Sequence, residues 1–174
     1  MRRSADKTTK VCDRPLRICV VFDEEVSARN AEFLIANVAF DYECETQSLR
    51  FDQLEAPKSA VAAARRVAGT DILVLAARGD RELPSHIRLW LGLCLGLRDE
   101  GQEGALVALV TEVEGAADLH SSIVDYLETI AIIGGVAFFA RKQPSPLTLK
   151  VGGKDRETKT ERLKSKLGVS RIGR

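Results

Sequence analysis

Asp23, Glu24 and Glu25 close the first apolar run of the chain, residues 18–22 (ICVVF). Carboxylates are the hard oxygen donors that Mg²⁺ prefers. Ser27 and Asn30 follow as polar groups at the start of a helical pattern, where an anion would ordinarily be held by bare amides and hydroxyls. Three carboxylates in front of them would repel a phosphate dianion. Arg78 and Gly79 follow a second apolar run and Thr111 ends a third. With Ser27 and Asn30 they make the candidate cofactor-binding set. No GxSxG, P-loop or GxGxxG is present. His86 and His120 lack ligand partners at metal spacing and read as surface histidines. Ser121 and Ser122 read as a helix-start pair. No catalytic residue is assigned. Cys12, Cys19, Cys44 and Cys94 show no paired spacing, which suits reduced, mostly buried thiols and a cytoplasmic protein.

The elements that must position these residues alternate regularly. Residues 18–22, 71–77 (DILVLAA), 105–110 (ALVALV) and 136–140 (VAFFA) are short continuous apolar runs, as expected of strands buried on both faces. Residues 42–47 alternate apolar and charged, which suits an edge strand. Ser27 is placed to cap a helix carrying Ala28, Ala31, Leu34, Ile35 and Val38. Further helices are expected over 58–68, 84–98 and from about Leu119 to Gly134. Strand–helix alternation gives an α/β fold: a three-layer α/β/α sandwich around a five-stranded parallel sheet, in the order 2-1-3-4-5. Its ligand crevice lies at the carboxyl ends of the strands, where Asp23, Arg78 and Thr111 sit.

Charge is unevenly distributed. The chain is +1 overall, yet residues 1–17 and 141–174 together carry +12 and the segment between carries −11. The expected organisation is a basic amino-terminal arm (1–17), an α/β domain (18–142) and a basic carboxyl-terminal tail (143–174). The arms either fold back on the acidic body or dock on an acidic protein, an anionic membrane surface or nucleic acid. The tail has no aromatic residue, so nucleic acid would be held through phosphates alone. No run reaches the ~18 apolar residues of a membrane span.

The helix over 84–98 carries two stripes. Ile87, Trp90, Leu91, Cys94 and Leu95 suffice to cover a sheet. Leu89, Leu93 and Leu97 flank Gly92 and Gly96, each glycine costing about 1 kcal/mol relative to alanine. Leu89, Gly92, Leu93 and Gly96 are therefore the candidate homodimer face.

Residues 71–91, with Leu83-Pro84 opening a helix, resemble the flavodoxin-like NAD(P)H-dependent FMN reductases. That resemblance implies an FMN phosphate held after strand 1. Here Asp23-Glu24-Glu25 takes the place of a Ser/Thr/Gly-rich loop. The two ends resemble receiver domains of response regulators. Asp23 and Glu24 match the acidic Mg²⁺ pair, Thr111 the switch hydroxyl, and Arg141-Lys142 the region of the phosphoryl-pairing lysine. Receivers carry an aspartate at the end of strand 3, where this chain has Ala76 and Ala77, and Asp80 comes only in the loop. Without that nucleophile no aspartyl-phosphate forms. The reading is a pseudo-receiver or non-catalytic regulatory or protein-interaction module, homodimeric and without cofactor. The alternative is an FMN-binding oxidoreductase with an atypical phosphate loop. A third reading is a nucleic-acid binder driven by the tail.

Overall fold

The structure, a computed structural model, describes residues 14–39 and 42–143. Most of both basic arms lies outside the described residues. Five strands, β1 (Leu16–Phe22), β2 (Cys44–Arg50), β3 (Ile72–Arg78), β4 (Ala105–Thr111) and β5 (Ala137–Gln143), form one parallel sheet in the order β2-β1-β3-β4-β5. Helices α1 (Glu25–Val38), α2 (Pro57–Val67), α3 (Ser85–Gly96) and α4 (Ala117–Ile133) alternate with them, and a 3₁₀ turn, Phe51–Leu54, follows β2. This is the predicted α/β sandwich, with β2 at an edge as its alternation required.

The period-two geometry of each strand sends its side chains into two separate cores. Cys19 and Val21 of β1, Leu73 and Leu75 of β3 and Leu106 and Ala108 of β4 face α2, α3 and α4. Ile18, Val20, Phe22, Val74, Ala76 and Leu109 face α1, through Ala28 and Ala31. Continuous apolar runs are the consequence of burial on both sides. On α3 the stripe Ile87, Trp90, Leu91, Cys94 and Leu95 is buried, as its spacing predicts. The Trp90 indole N–H donates to the Ala60 carbonyl at 3.0 Å and ties α3 to α2.

The amino-terminal edge of the sheet is laced by charge. Arg98 donates to the carbonyls of Ala68 (3.2 Å), Thr70 (2.9 Å) and Glu103 (2.9 Å). Asp71 accepts from both terminal nitrogens of Arg14 and from the Arg17 N–H. Burial alone would raise the Asp71 carboxyl, but these bonds outweigh it and hold it below its ordinary value. Their stabilisation is present above the ordinary carboxylate range and fades as pH falls through the depressed value.

Cys19 lies inside the sheet, and burial pushes its thiol up to about 12 against the opposing pull of Arg66. Burial raises Cys94 as well. Cys44 opens the edge strand and is half-buried. A thiol reagent in native buffer will therefore modify Cys44 and spare Cys19 and Cys94 until denaturant is added. Peptide mapping by mass spectrometry checks this, and native labelling of Cys94 would show that the seam between α3 and the sheet opens.

Candidate functional site at the carboxyl edge of the sheet

β1 and β3 are neighbours, yet β1 leads to α1 on one face and β3 to α3 on the other. Such a reversal opens a crevice outside the carboxyl ends of the strands. Asp23 sits at its centre, with a side chain only 9% exposed. The Ser27 hydroxyl donates to Asp23 Oδ1 at 2.7 Å, and the Arg78 backbone N–H donates to Asp23 Oδ2 at 2.9 Å. One carboxylate thus staples the first turn of α1 to the end of β3.

Arginines close over the acids. Arg81 ion-pairs with Glu24 and approaches Asp23 Oδ2 to 3.6 Å. Arg78 pairs with Asp80 and stands 3.9 Å from Glu24. The hydrogen bond from Arg78 holds the Asp80 carboxyl below its usual range, against a smaller opposing effect of burial. The same bond raises the Arg78 guanidinium. The Arg78, Arg81, Glu24 and Asp80 side chains are all partly solvated, so each pair is worth only about 0–1 kcal/mol. Their effect is to fill the crevice with compensated charge.

Ser27 does not cap α1. The helix begins at Glu25, and Glu24 stands at the capping position without a side-chain cap bond. The Ser27 hydroxyl turns back four residues to a charged acceptor, a stronger partner than a backbone amide. Asn30 lies a turn further along α1 and makes no hydrogen bond to this cluster. The structure thus joins Asp23, Ser27, Glu24 and Arg78 directly and leaves Asn30 outside. A cation at Asp23 and Glu24 would have to displace Arg81. Among the described residues, no group of three His, Cys, Asp or Glu side chains is placed to hold a metal ion.

Gly79 and Thr111 meet through their backbones, the Gly79 N–H donating to the Thr111 carbonyl at 3.0 Å. A Cβ on Gly79 would lie 2.8 Å from that oxygen, 3.1 Å from Val110 Cγ1 and 3.2 Å from His120 Cβ. The protein itself occupies this space, so the glycine serves close packing of the β3–α3 loop on β4. His120, expected at the surface, is buried at this contact. Gly79→Ala is expected to destabilise by about 1–3 kcal/mol, because backbone and a β-branched side chain must give way. Urea unfolding measures it, and an unchanged midpoint would show that the loop is not seated on β4.

The cluster forms one wall of a cavity of about 210 Å³, lined by Asp23, Arg78, Arg81, Arg50, Phe51 and His86 among others. Arg50 pairs with Asp52 at 3.1 Å, and His86 Nε2 is 3.2 Å from the Phe51 carbonyl oxygen. Sequence reasoning missed Arg50 and Phe51. The only signal was an aromatic residue following a charged edge strand. The cavity falls below the ~300–1,000 Å³ of ordinary small-molecule sites.

Comparison with known proteins bears on the fold. No protein-family model matches the chain, and no curated protein matches it. A flavodoxin from Streptococcus pneumonia TIGR4 superposes with a TM-score of 0.50 at 14% identity, covering 74% of this chain and 84% of that one. The fold is flavodoxin-like. The flavodiiron core of Flv1 from Synechocystis sp. PCC6803 aligns with a TM-score of 0.50 at 11% identity, over 76% of this chain but only 31% of that chain. The Trp repressor binding protein of Bacillus subtilis aligns at 13% identity over 74% of this chain and 84% of that one, with a TM-score of 0.45. At such identities the likeness is one of architecture.

The residues of this flavodoxin-like crevice do not fit a flavin phosphate. The loop after β1 presents Asp23, Glu24 and Glu25 where bare amides and hydroxyls are needed. Its one hydroxyl, Ser27, already donates to Asp23. β3 ends on Ala76, Ala77 and Arg78, so the position of a receiver nucleophile carries no carboxylate.

Proposed function

We propose that this protein is a non-catalytic, flavodoxin-like interaction module that acts as a homodimer. The observation that carries the first half is Asp23: both its oxygens hold the protein's own groups, and Arg81 lies across it. The crevice that serves as a ligand site in open parallel sheets is here a structural staple.

The dimer surface is α3. Leu89 is 77% exposed, and Leu93 and Leu97 also reach solvent. A Cβ on Gly92 or Gly96 would meet nothing within 4 Å. Leucines alternating with open glycines make a self-complementary ridge, because a twofold axis seats the leucines of one copy over the glycines of the other. Ile133 is exposed at the end of α4, where Gly134 lies hard against Leu95 of α3, and it extends the apolar surface. Contiguous apolar surface of this kind favours association.

The second reading, an FMN-binding oxidoreductase, draws on the likeness to a protein described as a flavodoxin. One experiment separates the two. The protein is mixed with excess FMN, passed over a sizing column and examined for flavin absorbance and sedimentation. The expected result is colourless protein sedimenting as a dimer. Retained yellow colour at one flavin per chain would establish the oxidoreductase reading instead, and a colourless monomer would remove the dimer.

A further inference from the structure

The amino-terminal end of the sheet, opposite the crevice, holds charge of another kind. Side chains alternate along β1, so Arg17 points to the same face as Cys19, toward α2. The register sets Glu45 and Gln47 of β2 beside Arg17 and Cys19 in that column. Arg17, Arg66, Glu45, Thr46, Gln47 and Thr70 line a cavity of about 230 Å³. Gly69 leaves room for the Arg17 guanidinium, whose Nη1 lies 3.4 Å from where a Cβ would stand.

The two guanidinium groups of this cavity lack counter-charge. Among the described residues Arg66 and Glu45 form no ion pair. Arg17 has one acid, Asp71, at 3.9 Å, and Asp71 already takes both terminal nitrogens of Arg14. The arginines of the carboxyl-edge cavity differ: Arg50 is paired with Asp52, Arg78 with Asp80 and Arg81 with Glu24. A helix carboxyl terminus ordinarily repels an anion through its free carbonyls. At the end of α2 those carbonyls are taken. Ala64 accepts from the Ala68 N–H, Val67 from the Thr70 N–H and hydroxyl, and Ala68 from Arg98.

We infer that this cavity binds a small phosphate monoester with a hydroxylated body, the phosphate on Arg17 and Arg66 and the hydroxyls on Glu45, Thr46 and Gln47. The planar guanidinium fork matches phosphate oxygens. Glu45 would repel an anion but accepts from hydroxyls, so the ligand must carry both groups. A water takes about 30 Å³ of liquid, so the cavity has room for more than a bare oxyanion. Its volume is below that of ordinary small-molecule sites, which suits a ligand held by charge and hydrogen bonds more than by apolar burial. The inference is independent of the dimer through α3.

The full chain is titrated by calorimetry with ribose 5-phosphate, inorganic phosphate and ribose. Ribose 5-phosphate is expected to saturate one site per chain, at least ~10-fold tighter than inorganic phosphate, with no binding of ribose. Arg17→Gln and Arg66→Gln should each weaken it at least ~10-fold. Arg29→Gln removes the same charge from α1, on the other face of the sheet, and should leave the affinity unchanged. All three arginines are exposed, so each variant folds. Failure to saturate, equal affinity for inorganic phosphate, or equal losses in the three variants would overturn the inference.

Discussion

Replacing Asp23 by alanine will destabilise the protein by about 2–4 kcal/mol, whereas asparagine will cost about 1 kcal/mol. The difference lies in what each leaves behind. Alanine strips the acceptor from the buried Ser27 hydroxyl and from the part-buried Arg78 N–H. It also leaves Arg81 with Glu24 alone. Asparagine keeps one oxygen for the Arg78 N–H and offers an amide N–H to the Ser27 oxygen, which accepts as readily as it donates. Urea unfolding of the three proteins measures both steps. Equal losses for alanine and asparagine would show that the negative charge, and not the acceptor geometry, holds α1 to β3.

Leu89→Glu is expected to weaken self-association at least ~100-fold while leaving the monomer folded. The side chain is almost wholly solvated in the isolated chain, so folding loses little by the change. In the dimer a carboxylate would be desolvated against apolar surface without a partner. Gly92→Ala sharpens the test, since the new methyl meets open space in the monomer. It should raise monomer stability by up to about 1 kcal/mol through its helix propensity. It should weaken association at least ~10-fold, because the backbones of two α3 helices can no longer approach. Sedimentation velocity across a concentration series reads the association, and thermal melts of the dilute protein read the stability. A variant that is stabilised and still dimeric would move the interface away from α3.

The predicted strands and helices fall near the observed ones because burial on two faces writes itself into local composition. Val20-Val21-Phe22 and Leu73-Val74-Leu75 carry no polar interruption, and their sheet order follows from handedness. The two stripes of α3 are local in the same way, one buried and one exposed, at 3.6-residue spacing. The crevice is different. Asp23 and Arg78 are 55 residues apart, Glu24 and Arg81 57 apart, and no periodicity links them. Ser27 followed a sound local rule for helix caps and was overridden by a nearer charge. The turn Phe51–Leu54 is only four residues long, too short to show a period, and with it went Arg50, Phe51 and the cavity they line.

Trp90 is the sole tryptophan of the chain, and it stands at the seam of α2, α3 and the sheet. The molecule therefore contains, beside two tyrosines, a single indole fluorophore in a buried, hydrogen-bonded setting. Its emission will be blue-shifted while the seam is closed and will move to the red when water reaches the indole. A substitution at the crevice that loosens only the loops will leave this colour unchanged. One that unfolds the domain will shift it, so a single optical signal sorts local rearrangement from global loss of structure.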